Sequence, residues 1–393
     1  MRILILTDRY PFDSAAAATG WFTQHVRSLS SFASVDVFCF LRVLPRVRHM
    51  LLRRGTHRPR LRPWRAVRTD GGATIQFLRS IVLPDSLSWA LTATLIVVQH
   101  YPALARFCRE RRPDGILVHF THPSAEIALL LGRRFRIPVC IAANETIQVY
   151  RSEGKHRGIR WMRKRLERAD AVITQCASHR KTMCDVIAHR RIHVLPLGIR
   201  AENLAVHPPD LPPIRCITVS RLDDRLKRID ASLSGLAYAR REMQIDCVLT
   251  IAGDGLLRKK LERLARDLGI EEHVTFRGWT DWSRLPELYR RHHICLFASE
   301  AESFGLVYLE AVEAGLPMVV NQHAGVVAEL HACSNAVVAI PESTGKEVGE
   351  AIARIAADYQ AYRTAARIGR TRVFEQFSWD AHARRYEEFM RDV

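Results

Sequence analysis

Short apolar runs and amphipathic segments alternate along most of the chain. Residues 3–6, 247–252 and 294–298 are mostly apolar and are bounded by polar or turn residues, which is typical of strands buried on both faces. Residues 256–268 instead have apolar side chains at intervals of three and four, which predicts an amphipathic helix. The alternation of such strands and helices predicts an α/β fold with mostly parallel sheets.

The alternation falls into two series of elements. The first opens with a predicted strand at residues 1–7, and the second opens with a predicted strand at residues 214–219. Residues 201–213 contain four prolines, a composition typical of a linker. The 393 residues suffice for two domains of ordinary size. We therefore predict a first domain over residues 1–200, the linker, and a second domain over residues 214–376.

The bulk composition is that of a globular protein, with 48% hydrophobic and 25% charged residues. The nine cysteines include no Cys-x-x-Cys pair, and several lie in apolar runs, so we expect free thiols, no metal site and a reducing cytoplasm. The apolar run of residues 3–6 ends at Asp8 and is too short for a signal peptide.

The net charge of +18 is unevenly distributed. Residues 42–68 hold ten arginines and no Asp or Glu, and residues 151–168 hold eight Lys or Arg. Such an excess indicates an anionic membrane surface, a nucleic acid or an acidic substrate. Leucines and Trp64 among the arginines suit a bilayer interface, and a solvated insertion between strands fits the same pattern equally well. A nucleic acid is disfavoured, because Trp64 and Trp161 are isolated aromatic residues.

Residues 86–105 lack formal charge and are about as long as a bilayer-spanning helix. They include several polar residues and Pro102. We interpret them as a helix packed within the first domain and followed by a second short helix, with a transmembrane span as the minor alternative.

The most informative stretch is residues 299–317, which read SEAESFGLVYLEAVEAGLP. A buried strand is predicted before it, and Gly305 precedes a helical pattern. At such a junction the first amides of the helix are unpaired at the carboxyl end of the strand and form a site for phosphate. Glu302 lies in the loop and Glu310 on the helix, where both carboxylates would accept hydrogen bonds from ligand hydroxyls. An amphipathic helix with solvated carboxylates is the alternative.

This stretch resembles the donor-site signature of the family 4 retaining glycosyltransferases. Two glutamates are separated by seven residues, with Phe-Gly after the first and Glu-Ala-x-x-Ala-Gly-x-Pro around the second. The resemblance implies the GT-B fold: two Rossmann-like domains facing across a cleft, with a C-terminal helix, residues 377–393, that crosses back to the first domain. It further implies that Glu302 binds the donor sugar and Glu310 the ribose. The backbone amides that it assigns to the donor belong to Ser303, Phe304, Gly305 and Leu306.

A second motif follows the strand at residues 214–219. Residues 220–228 resemble the family's Gly-Arg-Leu…Lys-Gly motif, and the resemblance assigns Arg221 and Lys227 to the donor diphosphate. Arginine offers a bidentate fork for phosphate oxygens and lysine a point charge. Such cations would stabilise a departing diphosphate without a metal. Ser220 and Arg228 stand where the family usually has glycine.

Further donor-side matches are weaker individually. Gly253 opens a Gly-x-Gly turn before a helix, and Arg277 lies near the end of the strand that in the family contacts the nucleobase. Gly325 and Glu329 resemble the family's Gly-x-x-Glu loop with one residue more between them. Residues 377–379 resemble the Phe-Ser-Trp that opens the terminal helix.

The match is looser in the first half of the chain. His119 ends a strand that resembles the family's Pro-Asp-x-x-His-x-His strand, and His122 follows it. Asn144 stands where the family commonly has the histidine of Thr-x-His, with Glu145 beside it, and Gly20 is the glycine of a loop that is usually Gly-Gly-rich. These five residues form the predicted acceptor side, where Glu145 or His122 would replace the missing histidine. A structural role for His119 is equally consistent.

The resulting prediction is a retaining, metal-independent glycosyltransferase without a bound cofactor. It would transfer a sugar from a UDP- or GDP-sugar to a lipid-linked or saccharide acceptor in cell-envelope or polysaccharide biosynthesis, as a peripheral protein on the cytoplasmic face of an anionic membrane. No nucleic acid partner is expected. One alternative is a GT-B scaffold without turnover, because the first-domain histidine and glycines are missing. A sugar-nucleotide epimerase shares the fold, but its donor-site string should differ.

Overall fold

The computed structural model describes residues 1–8, 10, 20–43, 65–82, 89–147, 151, 156–188, 191–199 and 211–393. The chain forms two compact units. The first comprises Met1–Thr174, Arg180–Leu195 and His382–Val393, and the second comprises Gln175–His179 and Pro196–Ala381. Residues 175–179 and 196–200, predicted in the first domain, thus group with the second unit. Most of the predicted linker, and residues 44–64 of the arginine-rich segment, lie outside the described residues.

The first unit contains an eight-stranded sheet of order β3-β4-β2-β1-β5-β6-β7-β8. All pairs are parallel except β3 with β4, which form a hairpin at one edge. The strands are β1 (Arg2–Thr7), β2 (Ser34–Val43), β3 (Arg65–Asp70), β4 (Ala73–Ile81), β5 (Gly115–His119), β6 (Val139–Ala142), β7 (Ala171–Thr174) and β8 (Ile192–Val194).

Helices cover both faces of this sheet. Successive side chains of a strand point to opposite faces, so Leu4 and Leu6 join one hydrophobic cluster while Ile3 and Ile5 join another. The first cluster is completed by α2 (Trp89–Arg111), α3 (Ala125–Phe135) and α4 (His156–Leu166), and the second by α1 (Trp21–Leu29) and the final residues of α13 (Trp379–Asp392). A helix α5 (Ala177–Cys184) follows β7. Burial on both faces explains why the central strands are continuous apolar runs.

The second unit contains a six-stranded parallel sheet of order β11-β10-β9-β12-β13-β14. The strands are β9 (Ile214–Val219), β10 (Cys247–Ala252), β11 (Val274–Gly278), β12 (Ile294–Phe297), β13 (Met318–Asn321) and β14 (Val337–Ile340). The helices are α6 (Ile229–Arg241), α7 (Arg258–Asp267), α8 (Leu285–Arg290), α9 (Leu306–Glu313), α10 (Val327–Cys333), α11 (Gly345–Ala357) and α12 (Tyr359–Phe377). The strand order reverses between β9 and β12, and open α/β sheets bind ligands at the carboxyl ends of such a pair.

One prediction for the first domain was wrong. The uncharged stretch forms a single helix, Trp89–Arg111, rather than two, with Pro102 inside it. A proline leaves the carbonyl four residues earlier without its helical donor. That residue is Val98, which is 70% exposed, so water can supply the missing hydrogen bond. Among the helices of the described residues, none is long and apolar enough to cross a membrane.

Candidate active site

Lys227 and Glu302 meet at the carboxyl ends of β9 and β12. Lys227 closes the 3₁₀ turn Arg225–Lys227, and Glu302 lies in the loop between β12 and α9. Lys227 Nζ donates to Glu302 Oε1 at 2.5 Å, and the two side chains are 19% and 11% exposed. The amide of Glu300 also donates to the carbonyl of Leu226 at 2.8 Å. The two loops are therefore tied by main chain and by a largely buried ion pair.

Arg221 and Arg228 flank this turn in the loop after β9. Arg221 is exposed, and no ion pair of its side chain is found within the described part of the chain. Arg228 contacts the carboxylates of Asp230 and Glu300. Its φ of +49° lies in the left-handed region, at the position where the resemblance led us to expect glycine. Arg221 is thus available to a ligand, whereas Arg228 is engaged by the protein.

Glu310 is the fifth residue of α9 and is held by two aromatic side chains. Its carboxylate accepts a hydrogen bond from Trp282 Nε1 at 2.8 Å and another from the Tyr289 hydroxyl at 3.0 Å. Burial raises the pKa of Glu310, while these two donors act in the opposite direction. A carboxylate has about four acceptor positions, so both oxygens can still accept from ligand hydroxyls. Trp282 and Tyr289 follow β11 in a stretch without a recognisable motif, and we did not predict them from the sequence.

Glycines let the loops around Glu302 approach one another. Gly305 caps α9 with a φ of +88°, and a Cβ there would lie 2.4 Å from the Tyr308 ring. Gly325 has a φ of +52°, and a Cβ there would lie 2.1 Å from the Phe304 carbonyl oxygen. Phe304 is buried, whereas Ser303 and Leu306 are partly exposed. Residues 303–306, whose backbone amides we predict to bind the donor, therefore pack against the loop after β13.

The loops after β9, β10 and β11 are linked in the same way. A Cβ on Gly253, whose φ is +147°, would lie 1.8 Å from the Ser220 carbonyl oxygen. The Gly253 amide donates to the Gly278 carbonyl at 2.9 Å. Arg277, the preceding residue, is exposed. Gly253 thus allows close backbone packing against the loop after β9.

Glu329 is engaged by the segment after β7 that belongs to the second unit. Its Oε1 accepts from the Ala177 amide at 2.9 Å, and Cys176 Sγ donates to the Ser303 carbonyl at 3.2 Å. The glutamate of the predicted Gly-x-x-x-Glu loop therefore also caps the helix Ala177–Cys184.

The predicted acceptor residues of the first unit lie at the ends of β5 and β6. His119 is buried and hydrogen-bonded to Asn144, and Asn144 is partly exposed. Glu145 Oε1 accepts from the Thr121 amide at 2.5 Å, and burial raises the pKa of this carboxyl group. These contacts give Glu145 a structural role in holding the loop after β5.

His122 and Gly20 also have local structural contacts. His122 Nδ1 accepts from an Arg42 Nη at 3.1 Å, and its ring lies 5.3 Å from the Trp161 ring. Gly20 is the N-cap of α1 in an extended conformation, and its carbonyl accepts from the amides of Thr23 and Gln24. The structure thus brings His119, His122, Asn144 and Glu145 to one edge of the first sheet.

The fold and this arrangement define a class: two α/β units with mostly parallel sheets, the second with cationic and carboxylate side chains at its switch point. Two family models match the chain, Glycosyltransferase Family 4 over residues 40–203 and Glycosyl transferases group 1 over residues 200–372. Together they span most of the chain. The protein belongs to the family 4, group 1 glycosyltransferases, and its fold is GT-B.

Two curated relatives match over shorter segments. N-acetyl-alpha-D-glucosaminyl L-malate synthase of Bacillus anthracis is 30% identical over 158 residues, 40% of this chain and 40% of the relative. A GDP-mannose-dependent alpha-(1-6)-phosphatidylinositol monomannoside mannosyltransferase of Mycobacterium tuberculosis is 29% identical over 186 residues, 44% of this chain and 46% of the relative. The matched segments therefore span less than half the length of these relatives.

Solved structures match over the whole chain. Sucrose-phosphate synthase from Thermosynechococcus elongatus superimposes with a TM-score of 0.75 at 19% identity, covering 100% of this chain and 99% of that one. HepE from Anabaena in complex with UDP superimposes with a TM-score of 0.71 at 16% identity, covering 100% of both chains. At these identities the likeness supports the fold alone.

Proposed function

We propose that this protein transfers a sugar from a nucleotide diphosphate sugar to an acceptor hydroxyl with retention of the anomeric configuration. The observation that carries the proposal is the meeting of Lys227, Glu302 and the first turn of helix Leu306–Glu313 at the carboxyl edge of the second sheet. Cationic side chains and unpaired helix amides suit a diphosphate, and a carboxylate suits sugar hydroxyls. The mannosyltransferase relative is named for GDP-mannose and the HepE structure for UDP, which supports a nucleotide sugar here.

The proposed chemical step forms no covalent bond between the protein and the sugar. The bond from the anomeric carbon to the diphosphate oxygen breaks, the acceptor oxygen adds on the same face, and the acceptor proton passes to the departing diphosphate. Negative charge grows on the diphosphate, so Arg221 and Lys227 stabilise the transition state more than the bound donor and would act without a metal. Glu302 holds Lys227 and accepts hydrogen bonds from donor-sugar hydroxyls.

A thermal-shift panel of UDP, GDP, ADP and their sugar conjugates tests donor binding. A ligand that binds only the folded state stabilises it by about 2.7 kcal/mol at a hundred times its Kd. We expect the nucleotides of one base to raise the melting temperature clearly and the corresponding nucleoside to raise it much less. Folded protein that shifts with no nucleotide would contradict the proposal.

Substitutions test the assignment of the diphosphate site. Charge-assisted hydrogen bonds contribute about 1.5–3 kcal/mol, so Arg221→Ala or Lys227→Ala should each weaken nucleoside diphosphate binding roughly 10- to 100-fold while nucleoside binding stays unchanged. Lys259→Ala is the matched control, since Lys259 is exposed on the helix Arg258–Asp267 of the same unit. Normal turnover by folded Lys227→Ala would show that the assignment is wrong.

The acceptor is identified by transfer of labelled sugar from the donor that the panel selects. The relatives' names suggest two probes, L-malate and vesicles that contain phosphatidylinositol. A saccharide panel is the third arm, as the basic first domain and the resemblance suggest a lipid-linked or saccharide acceptor. Product formation with one class names the acceptor chemistry.

We also propose that the first unit binds an anionic membrane surface. Helix His156–Leu166 buries Trp161, Met162 and Leu166 and presents a basic outer face. The exposed cations of this face are Arg157, Arg160, Arg163 and Lys164. The neighbouring helix Trp89–Arg111 exposes Leu91 and Val98, which are 53% and 70% exposed. A basic helix face, together with exposed apolar side chains on a helix that packs against it, favours an anionic bilayer interface, with about 1 kcal/mol from each cation near the surface.

Flotation with anionic and with zwitterionic vesicles tests the membrane proposal. Binding to anionic vesicles at low salt that is lost at about 1 M salt, where the Debye length is about 3 Å, is the expected result. Arg157→Glu with Arg160→Glu should abolish it, and Arg263→Glu, at an exposed position of the second unit, should not. Equal recovery with both vesicle types would count against an electrostatic surface.

A nucleotide-sugar-binding scaffold without turnover is the second candidate. It is favoured by the burial and hydrogen bonding of Glu145 and His119. Glu145 was predicted to replace the missing histidine, and His119 was predicted to lie on the acceptor side. It predicts nucleotide shifts as large as those of an enzyme, with neither sugar transfer nor donor hydrolysis under any acceptor condition.

A further inference from the structure

Three buried histidines form a continuous hydrogen-bonded chain in the first unit. His119 ends β5, His25 lies on α1, and His382 lies on α13. His119 Nε2 is 2.8 Å from His25 Nε2, and His25 Nδ1 is 2.8 Å from His382 Nε2. Each side chain is at most 1% exposed. The chain starts at Asn144, whose Nδ2 is 3.2 Å from His119 Nδ1.

The amide nitrogen of Asn144 sets the direction of every hydrogen bond in this chain. An amide nitrogen only donates, and a neutral imidazole has one donor and one acceptor nitrogen. His119 Nδ1 therefore accepts, so its proton is on Nε2 and is donated to His25 Nε2. His25 then carries its proton on Nδ1 and donates it to His382 Nε2. One set of tautomers satisfies all three contacts.

The surroundings keep the chain uncharged. Burial lowers the pKa of His119 to about 3 and lowers the pKa of His25 well below its usual range. The neighbouring rings are aromatic: Phe22 lies 4.7 Å from the His119 ring, and Tyr386 lies 5.1 Å from the His25 ring. A protonated member would also set two N–H groups against each other.

We propose that this histidine chain is a positioning device for Asn144 on the acceptor side. It holds Nδ2 toward His119 and so turns the carbonyl oxygen Oδ1 the other way, where it accepts a hydrogen bond from the reacting hydroxyl of the acceptor. Asn144 is partly exposed after β6, at the same edge as the end of β5. The inference rests on the proposed glycosyl transfer for the identity of the hydroxyl. The hydrogen-bonded chain of histidines does not depend on that proposal.

The opposite orientation of Asn144 would reverse the whole chain. With Oδ1 toward His119, the protons would lie on His119 Nδ1, His25 Nε2 and His382 Nε2. The orientation of one partly exposed amide after β6 and the tautomer of a histidine on the C-terminal helix are therefore linked.

Nitrogen-15 NMR of the folded, histidine-labelled protein tests this directly, since ring 15N shifts separate protonated from unprotonated nitrogens. Single substitutions of His25, His119 and His382 assign the signals. We expect protons on His119 Nε2, His25 Nδ1 and His382 Nδ1 in the unsubstituted protein. The reversed set would overturn the proposal, because Asn144 would then present its nitrogen. This arm needs no ligand, so it stands even if glycosyl transfer is disproved.

Variants then test the link and its role. Asn144→Leu should alter the tautomer populations of both His25 and His382, whereas unchanged tautomers would overturn the coupling. His382→Leu should shift the side-chain amide signal of Asn144 and raise the acceptor KM about tenfold at an unchanged donor KM. His100→Gln is the matched control, since His100 is buried in the same unit and bonds to Ser80 outside the chain. Donor and acceptor KM values that change together would indicate a structural role and overturn the positioning one.

Discussion

Gly325 packs directly against the main chain of Phe304. A Cβ on Gly325 would lie 2.1 Å from the Phe304 carbonyl oxygen, and that oxygen accepts a hydrogen bond from the Val326 amide at 2.9 Å. The same Cβ would lie 3.1 Å from the Cβ of Glu302. The loop that carries the proposed donor-sugar carboxylate is therefore positioned by main-chain contact with the loop after β13.

We expect Gly325→Ala to disrupt the proposed donor site. The left-handed conformation costs an alanine about 1–2 kcal/mol, and the contact with backbone atoms forces the loop to move. Stability should fall by more than about 2 kcal/mol, and nucleotide affinity should fall at least tenfold. Gly269→Ala is the control, because its φ of +59° is similar but its nearest contact is the flexible end of Arg241 at 3.1 Å. Equal effects of the two variants on nucleotide affinity would refute the argument.

Trp282→Phe tests whether Glu310 binds the ribose. The indole donates to Glu310 at 2.8 Å, and without it the carboxylate loses one of its two orienting hydrogen bonds. We expect the protein to prefer a ribonucleotide over its 2′- and 3′-deoxy forms, and the variant to lose most of that preference with little loss of deoxynucleotide affinity. Calorimetry with both forms measures it. No preference in the unsubstituted protein would place the ribose elsewhere.

Gly198→Ala should destabilise the second unit through one aromatic ring. A Cβ on Gly198 would lie 2.4 Å from the Trp379 ring, and the Ile199 amide donates to the Phe377 carbonyl at 2.7 Å beside it. Overpacking of this kind costs about 1–3 kcal/mol. A double-mutant cycle with Trp379→Leu should show strong coupling, because the smaller side chain leaves room for the methyl group. Additive losses of unfolding free energy would show that the two residues act independently.

Acid should destabilise the protein in part through His100. Its Nε2 is 2.9 Å from Ser80 Oγ, and burial lowers its pKa to about 4 from an unfolded value of about 6.5. Since the unfolded chain binds this proton first, the stability contribution is complete above pH 6.5 and is lost as the pH falls to about 4. As the pH falls from 7 to 4, the free energy of unfolding of His100→Gln should therefore rise relative to that of the unsubstituted protein by up to about 3 kcal/mol.

Urea denaturation across that pH range measures the difference. His156→Gln, at an exposed position of the same unit, is the control and should differ from the unsubstituted protein by a constant amount. If the plot of unfolding free energy against pH for His100→Gln were also parallel to that of the unsubstituted protein, the buried imidazole would take up its proton as readily in the folded state as in the unfolded state.

Local sequence pattern was sufficient to predict the central strands and the loop between β12 and α9. Ile214–Val219 and Cys247–Ala252 begin and end where we predicted, because a strand buried on both faces is an apolar run with polar ends. The strand, loop and helix around Gly305 were likewise predicted, since the glycine and the change of period are local signals. The edge strand Arg65–Asp70 was missed because its sequence is polar. The turn at Gly71 and Gly72, both with positive φ, is the signal that would have found it.

Sequence patterns were enough to predict most of the strands and helices, the family resemblance and the residue types at the proposed donor site, because these depend on neighbours a few positions apart. Which distant side chains meet depends on the three-dimensional fold. Trp282 and Tyr289 reach Glu310, and His25 and His382 reach His119, only because the sheet order and the returning C-terminal helix bring distant segments together. The periodicity of apolar residues indicates that a residue is buried. Which residue it contacts depends on how distant segments of the chain pack together, and no local pattern contains that information.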